Sequence, residues 1–240
     1  MIPEAQKPGD APERSSHEPT APNNTPASAP RSLLWAALGL LLALLTGTVL
    51  FAVLQSQSAV RPPLPVYGSI GAFTLTNQDG AAVSLGDLKG RVWVADIIFT
   101  RCPSPCLKMT RLMKELQEAL PDAGQARLVS LTTDPDFDTP SVLRAYAQRF
   151  GADARRWMFL TGTKKQIANL AIDSLKLTAI EKAPAERQSP DDLFVHSTIL
   201  VLVDRQARLR GIVETAGEGI VPERVKAQVV RAVNQLEREP

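Results

Sequence analysis

The chain is 240 residues long and 44% apolar, with 27 basic against 25 acidic side chains and a formal net charge of +2. That length suits one domain of ordinary size plus appendages. The near-balance of charge, without a Lys/Arg tract interleaved with aromatics or a Gly-rich phosphate loop, argues against nucleic acid as a partner.

In chain order, residues 1–32 are rich in Pro, Ala, Ser and Thr and almost free of large apolar side chains. Such a composition buries too little surface to offset ordering entropy, so it reads as a disordered tail in which His17 is solvated. Residues 33–54 then run LLWAALGLLLALLTGTVLFAVL without a charge. At about 1.5 Å per residue this stretch crosses a hydrocarbon core of roughly 30 Å. It is too long for a signal-peptide core and has a long segment before it, which favours a retained anchor. Residues 55–69 carry Pro62, Pro63 and Pro65 and read as a stiff spacer.

The folded domain is expected over 70–240. Phe73–Thr76 and Ala82–Leu85 flank Asp79-Gly80, a hairpin signal. Arg91–Phe99 reads as a buried strand that runs into Cys102-Pro-Ser-Pro-Cys106, where a helix should start with Cys106, Met109, Leu112, Met113, Leu116 and Leu120 on one face. Ala126–Thr132 is the next strand. Asp138-Thr139-Pro140 offers a cap and a first-turn proline for a helix closed by Gly151. Trp157–Leu160 and a helix from about Lys164 to Leu175 follow. Leu193–Val203 and Leu209–Val213 read as antiparallel strands, and Pro222 to about Glu237 as an amphipathic helix. Strands alternating with helices, then a hairpin and a terminal helix, define an α/β class: a mixed sheet with helices on both faces.

The candidate chemistry centres on the two cysteines of the chain, Cys102 and Cys106. They fall where a strand ends and a helix begins, and the first-turn N–H groups and helix dipole there favour a thiolate at Cys102, with Arg101 beside it. A structural disulfide would close a very short ring and constrain the unfolded chain little. Three intervening residues, rather than the two of dithiol oxidoreductases, let both sulfurs face one point, which suits a metal without forbidding a disulfide. His196 is the sole histidine after His17. Alone it reads as structural, but it precedes the buried run Ser-Thr-Ile-Leu-Val-Leu-Val, whose start lies beside the cysteine loop in a thioredoxin-like sheet. Two thiolates and an imidazole form a donor set suited to copper, Cu(I) especially. Asp134 is read either as a turn former before Pro135 or as a residue at the same sheet edge. Met109 and Met113 fit core positions better than thioether ligands.

Four segments in order, Phe99–Cys106, Thr132–Pro140, Trp157–Gly162 and Val195-His196-Ser197, resemble successive motifs of the Sco/SenC family over roughly residues 68–238. The resemblance implies a thioredoxin-like fold on a single N-terminal transmembrane helix in the inner (cytoplasmic) membrane, with the C-terminal domain in the periplasm. It implies copper, Cu(I) or Cu(II), on Cys102, Cys106 and His196, with Asp134 in a supporting position behind them. It implies a partner in the copper-bearing subunit of cytochrome c oxidase, or in another copper chaperone. Leu107, where the family usually has proline, and Val195, where it commonly has aspartate, depart from the pattern without removing a ligand. The expectation is an assembly factor acting as metallochaperone, thiol reductant or both, rather than a turnover enzyme. The main rival is a membrane-tethered thiol–disulfide oxidoreductase using Cys102 as nucleophile and Cys106 as resolving thiol without metal. A thiol peroxidase comes third.

Overall fold

The computed structural model describes residues 31–58, 62–102, 104–121, 126–178, 180–187, 193–195 and 197–239. The predicted tail, apart from its last two residues, therefore lies outside the described residues, as do His196 and Pro103. The chain divides into two compact units, Met1–Arg61 and Pro62–Pro240. Among its described residues the first contains one helix, α1 (Arg31–Ser58), whose stretch Ser32–Ala52 is long and apolar enough to cross a membrane. The leucines from Leu33 to Leu50, with Trp35 and Phe51, are exposed.

The second unit is a mixed sheet of eight strands flanked by helices. Its strands are β1 (Gly68–Ser69), β2 (Thr74–Asn77), β3 (Ala82–Ser84), β4 (Trp93–Ile98), β5 (Arg127–Thr132), β6 (Trp157–Thr161), β7 (Ile199–Val203) and β8 (Arg208–Glu214), in the order β1-β8-β7-β4-β5-β6-β2-β3. The helices are α2 (Leu85–Leu88), α3 (Pro105–Ala119), α4 (Pro140–Arg149), α5 (Lys164–Ala168) and α6 (Pro222–Leu236). β4, β5 and β6 are parallel, and β7 runs antiparallel to β4. All six residues of β4 are buried, as expected of a central strand covered on both faces.

Alternation along β4 separates two apolar layers. Val94 and Ile98 face the layer of α3, α4 and α6, whereas Trp93, Ala95 and Ile97 face the layer of α5. Each fully buried aliphatic side chain, such as Leu116, Leu143 or Val229, contributes roughly 1.5–3 kcal/mol. The β2–β3 turn forms as predicted: the Asn77 carboxamide oxygen accepts from the Asp79 and Ala81 amides, and Gly80 takes φ +80°. Thr139 caps α4 and Pro140 occupies its first turn.

Two predicted elements end differently. The helix expected over Lys164 to Leu175 is α-helical only to Ala168, and Asn169–Ser174 forms a π-helix. Its wider turn brings Leu170, Ala171 and Leu175 together onto the sheet, all buried. The strand expected from Leu193 begins only at Ile199. Leu193 to Val195 pair instead with Ile180 to Lys182, through Lys182 N–H to Leu193 O and Val195 N–H to Ile180 O.

Residues 62–65, read from composition as spacer, run along the domain surface. The Arg210 guanidinium donates to Leu64 O at 2.6 Å and to Pro65 O at 3.2 Å, and Gln235 donates to Pro62 O at 2.8 Å. Arg210 also pairs with Asp204 at 2.7 Å and with Glu239 at 2.6 Å.

Candidate metal centre

β4 delivers the chain to the cysteine loop, and α3 receives it. Cys102 lies two residues before the helix N-cap, Ser104, and Cys106 lies in the first turn behind Pro105. Proline suits that turn because its missing N–H has no helical partner to lose. The cysteines are buried, 3% and 5% exposed, and are not joined in a disulfide. The Cys106 N–H, one of the helix's unpaired first-turn donors, points at Cys102 Sγ at 3.3 Å. That donor and the helix dipole favour negative charge on Cys102. The Cys106 thiol moves the other way: the hydrogen bond it shares with Cys102 holds its proton, and burial adds to the effect. The pair is thus asymmetric: the Cys102 sulfur accepts from the Cys106 N–H, whereas the Cys106 thiol is held in its protonated form.

The loop is fixed from the β5–α4 connection. Asp138 is fully buried; one carboxylate oxygen accepts from the Thr100 N–H at 3.1 Å and from the Thr132 hydroxyl at 2.5 Å, while the other pairs with the Thr100 hydroxyl. Burial raises the Asp138 carboxyl above the usual range, against the pull of those hydrogen bonds. Asp134 turns to Arg101, and the two form an ion pair. The Arg101 guanidinium also stacks over Phe137 at 4.1 Å from the ring centroid. Arg101, expected beside the thiolate, therefore places its charge on Asp134 and an aromatic face.

A third approach is made by the segment before β7. Phe194 packs on Phe99 with ring centroids 5.1 Å apart, in the same apolar cluster as both cysteines. Met109 and Met113 are buried in that cluster too, as their helical spacing predicted. The Met109 sulfur accepts from the Thr215 hydroxyl at 2.9 Å, while the Thr215 N–H donates to Thr198 O at 2.8 Å. His196 lies outside the described residues, between Val195 and Ser197. Among the described residues no three potential metal-ligating side chains of the His, Cys, Asp and Glu types cluster.

Sequence reasoning passed over Asp138, treated as part of a helix cap, and Asp96, treated as one residue of a buried strand. The signal for Asp96 was its solitary charge inside an otherwise apolar run.

A thioredoxin-like sheet with a buried, asymmetric dithiol between its central strand and the next helix defines a thioredoxin-fold dithiol protein. The SCO1/SenC family model matches residues 66–234, and the chain belongs to that family. It is 32% identical over 193 residues to the SCO1 protein homolog of Bacillus subtilis (strain 168), covering 78% of this chain and 97% of the relative. The solved structure of BsSco, described as a member of the Sco family of cytochrome c oxidase assembly proteins in which a disulfide switch was identified, is 28% identical. It aligns with a TM-score of 0.59 over 75% of this chain and 100% of its own. Bradyrhizobium japonicum ScoI, solved with copper bound, is 27% identical with a TM-score of 0.56 over 68% and 99%.

Proposed function

We propose that this chain binds one copper ion through the sulfurs of Cys102 and Cys106 and the imidazole of His196, and acts in assembly of the copper-bearing subunit of cytochrome c oxidase. The observation that carries the reading is the buried pair of adjacent sulfurs at the α3 N-terminus. Soft thiolates in an apolar setting suit Cu(I). The N–H aimed at Cys102 and the helix dipole stabilise the anionic form that a metal needs. Copper in Bradyrhizobium japonicum ScoI, and the oxidase-assembly role given for BsSco, support the same chemistry. Phe194 against Phe99, and Thr198 joined through Thr215 to Met109, bring the neighbours of residue 196 to the cysteine layer. Asp134 acts from behind, orienting Arg101 at the edge of the loop. Copper here is cargo that a partner takes by ligand exchange. Leu33–Leu54 serves as a single-pass anchor, residues 55–61 as the connection, and the unit from Pro62 onward, which takes in the last part of the expected spacer, as a periplasmic domain.

The test is a copper titration of the reduced full chain in detergent, wild type against Cys102→Ser, Cys106→Ser and His196→Ala, read by absorption and paramagnetic resonance. Each substitution should lower the copper retained per chain. Full retention of tight copper by His196→Ala removes the three-ligand site.

The asymmetry of the pair favours a second reading at the same residues: Cys102 as attacking thiolate and Cys106 as resolving thiol in thiol–disulfide exchange. Turnover of a disulfide substrate by protein unable to hold copper decides for it.

A further inference from the structure

Thr215 follows β8 directly and carries one more rung of its pairing with β7. Its N–H donates to Thr198 O at 2.8 Å, and its hydroxyl stands 2.8 Å from the same carbonyl and 2.9 Å from the Met109 sulfur. A hydroxyl has one proton, and here two acceptors share it. Branching at Cβ leaves threonine few rotamers, so the backbone beyond β8 largely sets where that hydroxyl lies. Met109 stands one turn beyond Cys106 on the same face of α3, and both are buried in one apolar cluster. The hydroxyl thus joins the entry to β7 with the helix that carries Cys106. Upstream, the Val195 N–H donates to Ile180 O at 2.9 Å, and the buried Ser197 hydroxyl has no hydrogen-bond partner among the described residues. Among those residues Thr215 supplies the side-chain hydrogen bond nearest to residue 196. Two peptide links separate Thr198 from residue 196, so their Cα atoms lie within about 7 Å of each other.

We propose that Thr215 is a positioning residue of the metal centre, whose hydroxyl holds the chain at residue 196 and the first turn of α3 at a fixed separation. This rests on the reading of Cys102, Cys106 and His196 as copper ligands. Two of those ligands belong to α3 and the loop before it, and the third belongs to the segment that leads into β7. A donor set split between two elements binds a metal well only if the elements are held together beforehand, because ordering them on binding costs conformational entropy. Groups that touch ligand-bearing segments without being ligands supply that order in metal sites generally. Met109 acts here through its contact with Thr215 and not as a ligand, since its sulfur lies against the hydroxyl. Thr215→Val keeps the side-chain shape and the N–H and removes only the hydroxyl. Thr215→Ser keeps the hydroxyl and removes a methyl, and Met109→Leu removes the sulfur at similar volume.

The experiment measures Cu(I) binding by the reduced full chain in detergent, in competition with the chromophoric chelator bicinchoninate. Thr215→Val should bind Cu(I) roughly tenfold more weakly, and Thr215→Ser should bind it as wild type does. Met109→Leu should weaken binding too, and the double variant should bind no more weakly than the weaker single one, as expected for two ends of one link. The Cu(II) form of Thr215→Val should show an altered nitrogen hyperfine pattern in paramagnetic resonance. Alkylation of the two thiols in the metal-free Thr215→Val chain should keep its wild-type rate. A merely structural role would raise that rate and leave the nitrogen pattern in place. Wild-type binding by Thr215→Val or by Met109→Leu, or additive losses in the double variant, overturns the role of Thr215 and leaves the three ligands intact. Wild-type Cu(I) binding by His196→Ala overturns the three-ligand reading itself, and Thr215 with it.

Discussion

Replacing Asp96 with asparagine should stabilise the fold, and by an amount that depends on pH. The ordinary value of 3.8 is raised by burial to about 7 in the fold. At about 1.4 kcal/mol per pH unit, that difference amounts to about 4 kcal/mol. The sign follows from proton binding. Between pH 4 and 7 the folded chain keeps a proton on Asp96 that the unfolded chain has lost, so wild-type stability falls as pH rises through this window and levels off above it. Asparagine, similar in shape and uncharged, escapes the penalty. Its advantage over wild type should therefore grow by about 3 kcal/mol from about pH 5 to about pH 8.5, the fraction of the full difference that lies between those values. Urea denaturation under reducing conditions measures it, with the buried Trp93 and Trp157 as fluorescent reporters. Other titrating groups are common to both proteins and cancel in the comparison. Parallel stability profiles for the two proteins across this range would refute the reasoning, because they would mean that Asp96 is solvated or paired in the folded chain.

Asp138→Ala should destabilise by about 2–4 kcal/mol and speed alkylation of Cys102 and Cys106, since it leaves donors on half-buried Thr100 and buried Thr132 without their acceptor and loosens the cysteine loop; denaturation and thiol-alkylation rates check it. Arg210→Met leaves Asp204 buried without its partner and should cost about 3–5 kcal/mol, with limited proteolysis appearing around Pro62–Leu64. Burial opposes the Asp204 carboxylate, but hydrogen bonds from Arg210 and Arg208 outweigh it and hold it below the usual range, so its contribution is present at neutral pH and lost in acid. Thr139→Ala removes the α4 cap at a cost of about 1 kcal/mol and should leave the rates of both thiols unchanged.

Much of this architecture was legible because its signals are local. The run from Arg91 to Phe99 is apolar enough to mark a central strand, and Pro105 with the spacing of Met109, Leu112, Met113 and Leu116 marks the helix that follows. The position of the cysteines, and hence the asymmetry of their environment, comes directly from that junction. What was hidden depends on partners distant in sequence. Leu193-Phe194-Val195 has the composition of a strand and reads as the start of β7, but Phe194 is claimed by Phe99 and the backbone pairs with residues 180–182. Periodicity does not register the π-helix at Asn169–Ser174, because one inserted residue leaves the apolar pattern nearly unchanged over so short a stretch. The two acids Asp134 and Asp138 lie in one loop with equal claims, and only the fold sends one to Arg101 and the other inward to Thr100 and Thr132.

That division of the acids bears on what the site requires. A soft-metal or thiol-exchange centre needs sulfurs held at fixed separation, and a short loop between strand and helix has little packing of its own to do this. Three distant groups supply it here: Asp138 on the backbone of Thr100, Asp134 on the side chain of Arg101, and Phe194 on the ring of Phe99. Each touches a residue within three positions of Cys102, and none is a sulfur ligand. Their carboxylates are engaged by hydroxyls, an amide and a guanidinium, so they position the loop without competing for a soft cation. Asp96 differs: it is a fully buried carboxylate in the same layer, with Ser130 across the ladder and no cation beside it among the described residues. Position at the cysteine loop is thus delegated to groups whose bonding is complete, which leaves the two sulfurs as the reactive atoms of the junction.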